Sequence, residues 1–328
     1  MKNEDKIIIE LCNFYAPDVN FLQTALSQDI DLTYILGTLL MNRVGGVAYY
    51  TLSSNDLFGC LNREFVNSLK SVYESNIQKT LEFREILEEV SKYLSGRRFK
   101  YALLKGSYLQ QLYPIGTRTS NDIDILISND GLDVLSKELN DNSFVQGFTK
   151  NGKIRVASRK EIVSSRINRG ETVPFLKQST RTYLPITEID INTSLDHKAT
   201  GHVECINVML ENSIPTITTS HGMLHTLDEC DLIIHLCCHL YKEATTFDWV
   251  CWGRDQGLYK YIDVYALMYG KDKSFVNDMV HRIHTYSLER ECKYVFEALS
   301  LLYGKIFVKV FELLNEDKNN EKFIFDYK

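Results

Sequence analysis

The stretch at residues 105–127, KGSYLQQLYPIGTRTSNDIDILI, decides how this chain folds. It begins where a short apolar run, YALL at 101–104, stops; a run of that length reads as a buried strand. Lys105 and Gly106 end the strand, and 107–113 reads as a helix that Pro114 and Gly116 terminate. Residues 122–128, DIDILIS, then alternate in the period-two manner of a strand. On such a strand Asp122 and Asp124 point to one side, and Ile123, Ile125 and Ile127 point to the other, into a core. Two carboxylates so placed repel and raise each other's pKa unless a cation joins them. Mg²⁺ suits them, since it takes oxygen ligands and keeps substrate phosphates in its shell.

Outward from this segment the periodicity changes. Residues 5–95 carry apolar positions at helical spacing, and 63–95 reads as one long amphipathic helix closed by Gly96. Downstream, 130–141 reads as a helix, 144–183 as mixed with short β-like pieces, and 186–191 as a second alternating strand. Residues 220–245 and 256–313 read as helices, and the charged tail 316–328 as loosely attached. The expected fold class is therefore α+β. A small mixed sheet at 97–215 is flanked by an N-terminal helical region at 1–96 and a C-terminal helical domain at 216–328.

Composition narrows the function classes. The chain has 328 residues, 44% hydrophobic and 24% charged, the proportions of an ordinary globular protein. A net charge of −6 excludes an overall basic nucleic-acid binder, so no DNA partner is expected. The charge is uneven: residues 150–181 hold nine Lys or Arg and two Glu, so 9 − 2 = +7, and the remainder carries −6 − 7 = −13. A basic segment beside an acidic site suits a polyanionic ligand, although it also suits a solvated surface. No run of about 18 apolar residues occurs, so no membrane partner is expected. The N-terminus lacks the pattern of a signal peptide, and the eight cysteines include no C-x-x-C pair. Reduced thiols and a cytoplasmic location follow as expectations.

The candidate site grows from the same segment. The glycine of Lys105-Gly106-Ser107, at a strand-to-helix joint, lets a phosphate approach the backbone, and Ser107 with the helix N-terminal N–H groups can bind its oxygens. A third carboxylate would complete a two-metal site. Asp190, in PITEIDINTSL, is the best candidate; it shares a strand face with Asn192 and with Glu188, the runner-up. Two other clusters tempt. His235 and His239, four apart on a helix, sit near Cys237 and Cys238, but they lack the H-E-x-x-H arrangement and read as core or cleft histidines rather than a zinc site. Trp249 and Trp252 could stack on a base, or pack between helices.

Strand, Gly-Ser turn, helix, then a strand with two acids resembles the organising pattern of the nucleotidyltransferase superfamily related to DNA polymerase β. The gap from Ser107 to Asp122 is slightly longer than is usual there. The run LLKGSYLQQLYPIGTRTSNDIDILI is closer still to the signature of an uncharacterised bacterial nucleotidyltransferase family (NTP_transf_5 type): a KG turn, a YP dipeptide, then Arg-x-x-x-Asp-h-Asp. Here those fall on Lys105, Gly106, Tyr113, Pro114, Arg118, Asp122 and Asp124. The later h-Asp-Leu-His strand of that family resembles Ile189-Asp190-Ile191-Asn192, departing at Asn192. His239 and Asp263 resemble its helical C-terminal segment. The resemblance spans about 20–270, with its specificity in 103–127.

What the resemblance implies is a polymerase-β-like core and Mg²⁺- or Mn²⁺-dependent transfer of an NMP from a nucleoside triphosphate, ATP for preference. The acceptor would be a hydroxyl of a small molecule, sugar or peptide, and pyrophosphate would leave. Asp122, Asp124 and Asp190 would hold metal, with Asp190 as base. Gly106 and Ser107 would bind phosphates. Lys105 and Arg118 would neutralise phosphate charge or else hold the acids, and His239 would lie near the cleft. A toxin-type enzyme modifying protein or tRNA and a non-catalytic nucleotide binder are the alternatives.

Overall fold

The structure is a computed structural model, and it describes residues 2–195 and 203–315. The tail expected to be loosely attached lies outside the described residues. The N-terminal part is helical: α1 Asn3–Cys12, α2 Val19–Leu26, α3 Leu32–Met41, α4 Gly45–Ser54 and α5 Arg63–Leu94. The centre alternates as β1 Tyr101–Leu103, α6 Gly106–Leu112, β2 Asp122–Ile127, α7 Asn129–Asp141, β3 Val145–Lys150 and β4 Lys153–Val156. It continues with α8 Arg159–Arg169, β5 Phe175–Gln178, β6 Ile186–Asn192, α9 Val203–Glu211, β7 Ile214–Thr219 and β8 Gly222–Thr226. Helices complete the chain: α10 Glu229–Ala244, α11 Phe247–Cys251, α12 Leu258–Met268, α13 Lys273–Tyr286, α14 Glu289–Tyr303 and α15 Lys305–Asn315.

The fold is α+β, with a mixed eight-stranded sheet in the order β4-β3-β5-β6-β2-β1-β8-β7. Its two faces follow from side-chain alternation. Ile123, Ile125 and Ile127 of β2 share a core with Ile189 and Ile191 of β6. The cover on that face is α5, whose Phe83, Ile86, Leu87, Val90 and Leu94 recur at three- and four-residue spacing. At 32 residues, α5 is about 48 Å long. Asn62 caps it by accepting from Phe65 N at 2.8 Å, and it ends before Gly96, whose φ is +70°. The opposite sheet face carries Ala102, Leu104 and Leu126 into a second core with Leu232, Ile233, Leu236 and Leu240 of α10. The first four helices and the N-terminal end of α5 join this second core through Ile7, Leu39, Leu52, Phe65 and Leu69.

Two local expectations are corrected. Residues 220–226 are not helix: β7 and β8 form a hairpin and β8 adds to the sheet parallel to β1, pairing Leu103 with Thr226. The β-branched run IPTITT favours a strand, and Asp228 caps α10 only afterwards, accepting from Asp231 N at 3.0 Å. The sheet thus continues past residue 215, where the core was expected to end. Within 144–183, α8 is a full helix started by a capping box, in which Ser158 and Glu161 satisfy each other's backbone N–H.

Candidate active site

Strand register builds the acidic cluster. β2 and β6 are adjacent and parallel, pairing Asp122 with Glu188 and Asp124 with Asp190. All four side chains therefore project from one face, the face that α10 covers. One carboxylate oxygen from each of Asp122, Asp124 and Asp190 lies within 4.8 Å of the other two. Burial and mutual repulsion act together on the group. Burial, then the charges of Asp122 and Asp124, pushes Glu188 up to about 7. Asp190 is held well above the usual carboxylate range for the same reasons. Asp124 is raised by burial, against the opposing pull of Lys105.

Lys105 sits at the strand-to-helix joint with φ +40° and ψ −115°, a left-handed backbone uncommon for a residue with a side chain. Ser107 N donates to Leu104 O at 3.2 Å across that turn. The turn aims the Lys105 Nζ at Asp124 Oδ1, 2.8 Å away. Burial opposes its charge, but Asp124 and Asp122 more than offset this and hold its pKa above the ordinary lysine value. Of the two roles open to Lys105, the structure displays the pairing with the acids.

The packing around Gly106 leaves no space for a side chain. A Cβ there would lie 2.3 Å from Ser120 Oγ. Ser120 Oγ in turn donates toward Asp122, 3.1 Å from Oδ1, so this close approach helps fix the first acid. Ser107 is buried, its Oγ has no hydrogen-bond partner, and neither it nor Gly106 lines the cavity described below. Arg118 does not reach the acid cluster. Its guanidinium pairs with Asp263, Nε to Oδ1 at 2.9 Å and Nη2 to Oδ2 at 2.9 Å, and Tyr113 donates to the same carboxylate at 3.0 Å. The residues matched by resemblance just after α6, on the loop before β2 and on α12 thus form one buried polar knot.

The acids open onto a cavity of about 1530 Å³ walled by all three parts of the chain. His239 lines it, with Nε2 3.4 Å from Glu243 Oε1, and Glu243 also pairs with Lys260. Burial would raise the Glu243 pKa, but His239 and Lys260 lower it to about 2. His235 stacks parallel to His239 at 6.4 Å yet is buried, and burial with the charge of Lys105 pushes its pKa well below the usual value. Trp249 and Trp252 line the mouth, Trp252 being 64% exposed. The basic segment is divided: Arg155 and Arg181 pair with Glu161 and with Glu85 and Glu89, whereas Lys160 lines the cavity.

The donor set fits a hard divalent cation. It is all oxygen, three carboxylates can converge, and Asp190 Oδ1 is buried with no hydrogen-bond partner. Sequence reasoning missed Ser120, Glu243 and Lys260, along with Arg43 and Lys79 of the N-terminal helices. Ser120 falls on an unspecified position of the Arg-x-x-x-Asp run, and the other four belong to no local motif and are brought to the cavity by packing. No helix among the described residues is long and apolar enough to cross a membrane.

Three comparisons bear on the family. No curated protein matches the chain at a significant level. Among solved structures, an antigenic nucleotidyltransferase-like protein from Paracoccidioides brasiliensis is similar at 9% identity and a TM-score of 0.33, covering 70% of this chain and 97% of that one. That likeness is too distant to bear on the argument. The family profile described as uncharacterised nucleotidyltransferase matches residues 28–304, well over half of the sequence and including every acid of the cluster. The chain belongs to this uncharacterised nucleotidyltransferase family.

Proposed function

We propose that the protein transfers a nucleoside monophosphate from a nucleoside triphosphate, ATP for preference, to a hydroxyl of a small molecule, sugar or peptide. The observation that carries this reading is the parallel register of β2 and β6, which gathers Asp122, Asp124 and Asp190 on one face at the cavity floor. Asp122, Asp124 and Asp190 would hold Mg²⁺, or Mn²⁺ in its place. The chemistry such an ion would supply when bound is neutralisation of phosphate charge.

The residues divide the remaining work. Lys105 fixes the rotamer of Asp124 through its ion pair, and Ser120 fixes Asp122. Asp190, whose Oδ1 has no other hydrogen-bond partner, takes the proton of the acceptor hydroxyl. The acceptor oxygen forms its bond to the α-phosphorus as the bond from that phosphorus to the bridging oxygen breaks. Pyrophosphate leaves with the electron pair. In-line displacement of this kind depends on positioning and charge more than on covalent help from the protein. The eight free cysteines suit a reducing compartment, and we place the protein in the cytoplasm on that ground.

The test is pyrophosphate release from ATP and Mg²⁺ in the presence of candidate acceptors. Asp122→Asn and Asp124→Asn should each lower turnover on the order of 10²–10³-fold or more. Full turnover in either variant would remove the assignment.

A further inference from the structure

Seven lysines and arginines line the cavity, and their partners sort them. Three are occupied by carboxylates: Lys105 by Asp124, Arg118 by Asp263 and Lys260 by Glu243. The other four, Arg43, Lys79, Lys160 and Arg254, have no ion pair among the described residues. Lys160, Arg254 and Arg43 are exposed, whereas Lys79 is half-buried. Burial first, then the nearby charge of Arg43, pulls the Lys79 pKa below the ordinary lysine value, while Asp122 opposes the shift. Two like charges thus stand close together beside the metal-binding acids. An uncompensated, half-buried cation costs stability, and one next to a second cation costs more.

The backbone holds both residues in place. Lys79 projects from the middle of α5, the helix that backs the sheet. Arg43 occupies the turn between α3 and α4 with φ +57°, and its guanidinium lies 5.7 Å from the centre of the Tyr259 ring. The preceding Asn42 pins that turn to the C-terminal helices by accepting from Leu258 N at 2.9 Å. These positions are prepared for a ligand of strong negative charge rather than for each other.

We propose that Arg43 and Lys79 form the polyphosphate clamp of the site. They bind the β- and γ-phosphates of the nucleoside triphosphate and afterwards the pyrophosphate that leaves. The inference rests on the nucleotidyl-transfer reading above and reassigns one part of it. The phosphate role implied for Gly106, Ser107 and Arg118 passes to the N-terminal helices, because Gly106 and Ser107 do not line the cavity and Arg118 is occupied by Asp263.

The test uses the full chain and inorganic pyrophosphate, titrated calorimetrically in excess Mg²⁺. Lys79→Met and Arg43→Gln should each weaken binding about tenfold, or about 1.4 kcal/mol, and the double variant about a hundredfold. Lys79→Arg should bind like the wild type. Lys160→Met, which removes an exposed cation from the same cavity, should also leave affinity unchanged. The melting temperature of Lys79→Met should not fall, since an unpaired charge has been removed, so lost affinity would not reflect lost fold. Wild-type affinity in both Lys79→Met and Arg43→Gln would overturn the clamp, as would an equal loss in Lys160→Met. Turnover separates this failure from failure of the underlying reading. If the clamp variants bind normally while Asp124→Asn has lost pyrophosphate release, only the clamp is wrong; if Asp124→Asn still turns over, the nucleotidyl-transfer reading itself is wrong.

Discussion

At the scale of single residues, the site is a concentration of like charge held half-buried at the wall of a cavity. Glu188 shows this most clearly, with its pKa pushed up to about 7 by burial and by Asp122 and Asp124, from an ordinary 4.5. The sign of the consequence follows from proton linkage. Between about 4.5 and about 7 the folded chain holds a proton on Glu188 that the unfolded chain has released. In the metal-free protein that contribution to stability therefore falls as pH rises through this window. Thermal melts in EDTA should show the decline, and Glu188→Gln should flatten it; an identical slope in the variant would refute the assignment. Lys105 opposes the same repulsion from within. Lys105→Met should destabilise the metal-free protein by about 3 kcal/mol, because the partner carboxylate is left buried and unpaired. Saturating Mg²⁺ should recover part of that loss, and a denaturation midpoint unchanged by the mutation would contradict the role.

The residue scale was also the most legible in the sequence. Asp122 and Asp124 announce themselves by alternation, and Asp190 with Glu188 by the same pattern on a second strand. That the two strands would be neighbours, in the register that sets Asp124 against Asp190, was expected only in outline, because strand order depends on connections far apart in sequence. The partners Glu243, Lys260, Arg43 and Lys79 carry no local signal, and Ser120 sits at an unspecified position between Arg118 and Asp122. Polar residues scattered over helices look like solvated surface until packing turns them inward.

At the scale of elements, the turn between β1 and α6 is the piece on which the geometry depends. Its glycine reads in the sequence as room for a phosphate, and in the structure the side chain of Ser120 lies where a Cβ on Gly106 would be. Gly106→Ala should therefore displace either α6 or the loop carrying Ser120 and reduce turnover. Ser120→Gly, added to Gly106→Ala, should restore part of the loss by reopening the contact. Kinetics of the single and double variants decide this, and a double variant no better than Gly106→Ala would mean that the contact is not the cause. The long helix α5 and both alternating strands were readable from period alone. The helix α8 was not, although Ser158 and Glu161 form a capping box, because its polar sequence gives little periodic signal. Residues 220–226, which hold β8, read as helix because their apolar residues run directly into those of α10.

At the scale of the whole molecule, the three parts of the chain share one cavity, and the contacts between them are polar as well as apolar. Arg118, just before β2, and Asp263, on α12, form a buried pair completed by Tyr113, tying the sheet to the C-terminal helices. Removing one partner leaves the other charged and enclosed, so Asp263→Ala should cost about 3–5 kcal/mol in denaturant unfolding. A loss under about 1 kcal/mol would show the pair to be exposed in solution. The arrangement of three regions around one site could be anticipated only as helices flanking a sheet; which helical residues face the acids is a property of the assembled chain.

The central claim is that Asp122, Asp124 and Asp190 together hold a divalent cation, and Mn²⁺ binding measured by electron paramagnetic resonance tests it without any knowledge of the acceptor. Wild-type protein should take up Mn²⁺, Mg²⁺ should compete for the same site, and Asp124→Asn and Asp190→Asn should each lose most of the affinity. Equal Mn²⁺ uptake by the wild type and both variants would contradict the account.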